Sequence, residues 1–182
     1  PARRPKAHRR DAVDLGVDLI DTADAYGPGT SERLIADALY PYPDDLVVAT
    51  KGGLLRNLDG DWIRHGDPAY LHDAVLSSLD RLRTDTIDLY QLHRPDPDVP
   101  IEDSVTELAA LRDRGVIEHI GVSNVTVEEL SRARDVTEIA TVQNQYNLGY
   151  RQDEDVLEVC EEYDIGFIPW FPLGAGELET KQ

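Results

Sequence analysis

The sequence predicts an α/β fold of the (β/α)8 barrel type, here an incomplete barrel of about six parallel strands with flanking helices. Three observations predict it. Short runs of β-branched and aliphatic residues alternate with segments of helical period, the pattern of a parallel sheet covered by helices. Polar or aromatic residues of distinctive chemistry close every run: Asp21, Lys51, His93, Asn124, Gln145 and Trp170. Neither GxGxxG nor GxxxxGK[ST] follows any run, which counts against an open nucleotide-binding sheet and favours a barrel whose strand ends converge on one face.

The strand candidates are VDLIDT (17–22), LVVAT (46–50), TIDLYQL (86–92), VIEHIGV (116–122), ATVQNQ (140–145) and IGFIPW (165–170). The helices between them have readable starts. Thr30 and Ser31 precede an apolar stripe of Leu34, Ile35, Ala38 and Leu39, and Asp67 before Pro68 supplies a cap and first-turn proline leading into Leu71, Val75, Leu79 and Leu82. A third helix buries Ile101, Val105, Leu108 and Leu111 and stops at Gly115, and two more start near Thr126 and Asp153. Residues 9–15 read as the end of another helix, after a basic segment over 1–10. Residues 11–182 then form one domain, a partial barrel. The strand-end residues lie 21 to 42 apart in sequence, so eight units would need about 240 residues, near the size of the fold.

Composition bounds the function. The 182 residues carry 36 Asp and Glu against 18 Lys and Arg, a formal charge of −18, with 41% hydrophobic residues. Such a field repels phosphate backbones and anionic lipid, so neither nucleic-acid nor membrane-surface binding is expected, while the apolar content supports a packed core. The single Cys160 allows no internal disulfide, no apolar run reaches the ~18 residues of a spanning helix, and the basic first residues do not lead into a signal-peptide core. A cytoplasmic protein is expected. The chain lacks Met, as a processed chain or a piece of something longer would. Asp outnumbers Glu by 23 to 13, and Lys occurs only at 6, 51 and 181. That texture fits a high-salt cytoplasm or an acidic enzyme from a GC-rich genome, two readings the sequence leaves open. His8, His65, His72 and His119 fall at no ligand spacing with one another or with Cys160, so no metal is expected.

Tyr26, Lys51, Asp21 and His93 form a chemically coherent set. Carbonyl reduction needs an acid beside the developing alkoxide; a Tyr serves if a neighbouring cation lowers its pKa from about 10. Lys51 would supply that cation, Asp21 would keep it charged, and His93 would donate a hydrogen bond to the substrate oxygen.

DTADAYG (21–27), ATKGG (49–53), YQLHRP (90–95), GVSN (121–124) and QNQYN (143–147) together resemble the aldo-keto reductase superfamily. The resemblance implies hydride transfer between NADPH, or less often NADH, and an aldehyde or ketone, with no metal. It implies that Tyr26 is the proton donor, Lys51 and Asp21 its pKa-lowering pair, and His93 the residue that orients the carbonyl. Ser123, Asn124 and Gln145 resemble the residues that hold the nicotinamide carboxamide, and Trp170 the aromatic that stacks on the ring. Phe171 stands where many members have Ser, and FPLG (171–174), with Leu173, resembles the loop that crosses the pyrophosphate. Substrate choice would lie in residues 52–66, with Trp62 and Leu54 as an apolar wall. Small aldehydes, ketones, sugars and pyridoxal all remain open as substrates.

A complete member of that superfamily has a first strand ahead of residue 9 and an eighth strand after residue 182, so open sheet edges and self-association through them are expected here. Two alternatives to the enzyme stand beside it: a nucleotide-binding regulatory subunit, and an inactive fragment of a full-length reductase.

Overall fold

The computed structural model describes residues 10–57 and 59–174. Residues 10–14 are helical; the remainder of the basic N-terminal segment and the end of the chain from 175 lie outside the described residues. Six strands form one parallel sheet: β1 (Leu19–Asp21), β2 (Val47–Gly52), β5 (Ile87–Leu92), β6 (Ile117–Ser123), β7 (Thr141–Gln143) and β8 (Gly166–Phe167). They lie side by side in chain order, each hydrogen-bonded to the next. The intervening helices are α1 (Thr30–Leu39), α2 (Pro68–Leu82), α3 (Ile101–Asp113), α4 (Val127–Val136) and α5 (Glu154–Glu162). Parallel neighbours need a crossover, and the helices supply it. Among the described residues β1 and β8 each have a sheet neighbour on one side only.

The sheet curls. Gln91 on β5 donates to Asp21 on β1 at 3.1 Å although β2 lies between their strands, a contact that needs a concave face on which side chains converge. Gly121 helps make that face. A Cβ there would come 2.8 Å from Gln91 Cγ and 2.3 Å from Thr141 Oγ1, so only glycine leaves Gln91 its room. Helices cover the other side. Leu71, Val75 and Leu82 of α2, Val105, Leu108 and Leu111 of α3, Leu130 of α4, and Val156 and Cys160 of α5 are buried in one cluster with Val48, Tyr90, Leu92, Ile120 and Val142 of the sheet.

The predicted helix starts hold with one correction. Asp67 accepts from Tyr70 N with Pro68 in the first turn, and Thr126 forms a reciprocal capping box with Glu129. At α1 the cap is Gly29, in a left-handed conformation with φ 69° and no side-chain cap bond, rather than Thr30 or Ser31. Ser31 is drawn away because its hydroxyl accepts from Thr22 Oγ1 at 2.8 Å.

Three predicted strands, β1, β7 and β8, are clearly shorter than their apolar runs. β7 ends at Gln143 because the Asn144 side chain turns to cap the β6–α4 loop, accepting from Val125 N and donating to Val125 O. Gln145 and Trp170 meet only in an isolated parallel bridge beyond β7 and β8. Residues 52–66, read as a loop, contain an antiparallel hairpin, β3 (Leu54–Arg56) and β4 (Trp62–Arg64). Asp59-Gly60 was the legible signal, with Gly60 at φ 89° in the connection.

Candidate active site

The carboxyl ends of the strands open into a cavity of about 490 Å³. Tyr26 and His93 line it, whereas Asp21 and Lys51, from β1 and β2, do not and lie behind Tyr26. Asp21 ends β1, and the register pairs Asp21 with Ala49 and Lys51 with Gln91, so the Lys51 side chain rises beside Asp21 and Gln91. Lys51 Nζ donates to Asp21 Oδ2 at 2.6 Å and to Thr22 O at 2.8 Å. The lysine is wholly buried, and burial pulls its pKa down while Asp21 pushes it back up.

Tyr26 stands above this pair. Lys51 Nζ lies 5.5 Å from the centre of the Tyr26 ring, and the His93 ring meets Tyr26 edge-on at 5.7 Å. Tyr26, His93 and the Lys51–Asp21 pair are therefore one cluster, gathered from three strand ends. His93 is anchored through its backbone: its N–H donates to Gly52 O at 2.8 Å, and its carbonyl accepts from Asn124 Nδ2 at 3.3 Å. Its Nδ1 is buried without a hydrogen-bond partner among the described residues. Burial, then Lys51 and Arg94, push the imidazole pKa down to about 3, so the ring is neutral.

The Tyr26 hydroxyl departs from the expectation. Burial and the charge of Asp21 raise its pKa rather than lowering it. The main physical reason is burial, which disfavours the phenolate, and the Asp21 carboxylate adds to it.

A second group of cavity residues comes from β6 and β7. Ser123 Oγ donates to Gln143 O at 2.8 Å and accepts from Asn124 Nδ2 at 2.8 Å. Asn124 Oδ1 accepts from the Trp170 indole N–H at 3.2 Å, and the Trp170 and Phe171 rings pack edge-on at 5.0 Å. Asn124 takes a left-handed conformation with φ 57°, which Asn tolerates better than most residues. Phe171, at φ 55°, is a bulky residue in the same region and marks local strain at the cavity rim.

Leu54 and Trp62 line the cavity from the hairpin, opposite that group. Gln145 and Leu173 do not. Gln143, two residues before Gln145, lines it instead, and Leu173 is 77% exposed. Sequence reasoning also passed over Gln91, Arg64 and Arg94. Gln91 and Arg94 sit inside the quoted YQLHRP segment, and Gln143 opens the quoted QNQYN, so those motifs pointed to the right stretches and not to every residue in them.

The sequence profile of the aldo/keto reductase family matches residues 6–182, and the chain belongs to that family. Its curated relatives include an uncharacterized oxidoreductase of Schizosaccharomyces pombe, 48% identical over 165 residues, covering 91% of this chain and 54% of the relative. Another is the pyridoxine 4-dehydrogenase of Escherichia coli, 41% identical over 172 residues, covering 91% of this chain and 60% of the relative. Solved structures with the same fold include a glycerol dehydrogenase from Gluconobacter oxydans, with a TM-score of 0.91 and 37% identity over 97% of this chain and 56% of that one. An aldo-keto reductase from Klebsiella pneumoniae in complex with NADPH matches with a TM-score of 0.80 and 32% identity, over 96% of this chain and 60% of that one. The chain thus spans about half to three-fifths of the length of the relatives it matches.

Proposed function

We propose that this chain carries the proton-donating and nicotinamide-holding part of an NAD(P)H-dependent reductase that converts an aldehyde or ketone to an alcohol. The observation that carries the reading is the Tyr26–His93–Lys51–Asp21 cluster, of which Tyr26 and His93 line the cavity.

The residues present suit a nicotinamide. Ser123, Asn124 and Gln143 bring hydroxyl and amide groups together on one wall, a donor and acceptor set matched to a carboxamide. Trp170 and Phe171 add aromatic surface beside them. When bound, the reduced nicotinamide supplies the hydride; NADPH is the cofactor to test first, with NADH as its comparison.

Tyr26 holds its proton at neutral pH, because burial and Asp21 disfavour the phenolate. It is thus an acid with its proton in place. As that proton moves to the substrate oxygen, the Lys51 ammonium 5.5 Å from the ring centre favours the negative charge left on the phenol. His93, neutral at any physiological pH, orients the carbonyl oxygen as a hydrogen-bond donor without competing for the proton. Buried Leu54 and half-exposed Trp62 add apolar surface to the cavity from the hairpin.

The test is a titration of the purified chain with NADPH followed by Trp62 and Trp170 emission, then an assay of NADPH oxidation with a panel of aldehydes and ketones. The expected result is saturable binding and turnover, with Tyr26→Phe losing at least about a hundredfold in kcat while binding NADPH as tightly. Equal turnover by Tyr26→Phe would sink the assigned role of Tyr26.

A further inference from the structure

Resting on that reading of the site, we propose that Arg64 and Arg94 form an anion subsite that selects carbonyl substrates bearing a carboxylate or a phosphate.

The two arginines reach the cavity from separate elements. Arg64 ends β4 and pairs in register with Leu54 of β3, and both residues line the cavity. Arg94 follows His93 directly at the end of β5 and lines it too. Arg64 thus reaches the cavity from the hairpin and Arg94 from the residue after His93, while Ser123, Asn124 and Gln143 reach it from β6 and β7. An anion held there leaves the rest of its molecule to extend past Trp62 toward Tyr26 and His93.

Among the described residues neither guanidinium meets a carboxylate, whereas Arg81, Arg83, Arg112, Arg132 and Arg151 each do. Acidic residues make up 36 of 182 positions, yet among the described residues no Asp or Glu lines the cavity that both arginines line. The charge of Arg64 also adds to partial burial in lowering the Arg94 pKa, as two like charges near each other do. A chain of net charge −18 repels anions at long range, so an anionic substrate needs a local cationic site to enter. Two arginines with free forks match the planar geometry of a carboxylate or the oxygens of a phosphate.

The experiment compares matched aldehydes: 4-oxobutanoate with butanal for the carboxylate, and glycolaldehyde phosphate with glycolaldehyde for the phosphate. At low ionic strength we expect kcat/KM for at least one anionic aldehyde to exceed that of its neutral partner by about tenfold or more, with the larger ratio naming the anion. The preference should shrink toward one as salt is raised on the unaltered chain, because screening acts on the pair and not on the neutral aldehyde. It should shrink likewise in Arg64→Gln and Arg94→Gln. Trp62 emission titrated with 4-oxobutanoate and with inorganic phosphate reads the same subsite without turnover. Ratios near one in the unaltered chain, or arginine variants that change anionic and neutral aldehydes by the same factor, would overturn the subsite and leave the reductase reading standing. A weakened Kd for NADPH in either variant, with the ratio unchanged, would overturn it by assigning the arginines to the cofactor. Arginine-dependent anion binding with no aldehyde reduced would support the subsite while the reductase reading fails.

Discussion

Lys51 and Asp21 form an ion pair of 2.6 Å whose two partners are unequally buried: the lysine side chain is 0% exposed and the aspartate 27%. Removing one partner therefore differs from removing the other. Asp21→Asn strands an ammonium with no water to solvate it, and losing one member of a buried pair costs about 3 to 5 kcal/mol. Lys51→Met leaves a carboxylate that water and Gln91 still reach, so we expect it to cost about 1 to 2 kcal/mol, closer to a partly exposed pair. Urea midpoints at unchanged slope measure both. Equal losses, or a larger loss for Lys51→Met, would show that the lysine is not the buried member in solution.

His93 should leave no mark on the pH profile. Its pKa is pushed down to about 3 by burial, Lys51 and Arg94, well below the usual imidazole value of about 6.5. The imidazole stays neutral from pH 5 to 8, so kcat/KM for carbonyl reduction should show no limb near pH 6.5. His93→Gln should lose about 100- to 1000-fold in kcat/KM, the range for removing one hydrogen-bond donor from a developing oxyanion. A limb near pH 6.5 that disappears in His93→Gln would contradict the neutral assignment.

Much of the arrangement is legible in the sequence because it depends on period and on position. Leu71, Val75 and Leu82 repeat at helical spacing and are all buried; Asp21, Lys51 and His93 each terminate an apolar run and gather around Tyr26. What escaped depends on tertiary contact. Gln145 was preferred to Gln143, yet the strand ends where the Asn144 side chain engages Val125, and no local pattern announces that bond. The hairpin carrying Trp62 and Arg64 was missed because its strands are three residues each, too short to display alternation. The expected lowering of the Tyr26 pKa named both Lys51 and Asp21 but not the burial of the phenol, which with the Asp21 charge raises the pKa instead.

Asp24 makes stability depend on pH in the direction opposite to most carboxylates. Burial, then the charge of Glu32, raise its pKa from 3.8 to about 6, although Tyr70 donates to it at 3.1 Å. Well below pH 4 the group is protonated in both folded and unfolded chains and costs nothing. Above pH 6 it is charged in both, and the full cost of the buried charge is present, about 1 to 3 kcal/mol. The cost grows as pH rises from about 4 to about 6. Asp24→Asn should therefore stabilise the chain at pH 7.5 and lose that advantage by pH 4.5, as read from the difference in melting temperature between variant and parent at each pH. A difference independent of pH would mean that Asp24 titrates as an ordinary carboxylate.

Tyr90 and Gly52 test how tightly the floor of the site is packed. The Tyr90 ring is wholly buried, and its hydroxyl has no hydrogen-bond partner among the described residues. A Cβ at Gly52 would lie 2.1 Å from that hydroxyl and 3.1 Å from the ring carbon bearing it. Gly52 in turn offers the carbonyl that holds His93 N–H at 2.8 Å, so crowding there displaces a residue of the site. Gly52→Ala should cost about 2 to 3 kcal/mol by overpacking. Tyr90→Phe removes an unsatisfied buried hydroxyl and should be neutral or stabilising by about 1 kcal/mol. Because deletion of the hydroxyl vacates the space a new methyl needs, Gly52→Ala should cost at least about 1 kcal/mol less in the Tyr90→Phe background than alone. A double-mutant cycle by urea denaturation measures that coupling, and kcat on the same four proteins follows His93. Additive losses would mean that the methyl group clashes elsewhere, and the hydroxyl would then have no part in fixing glycine at this position.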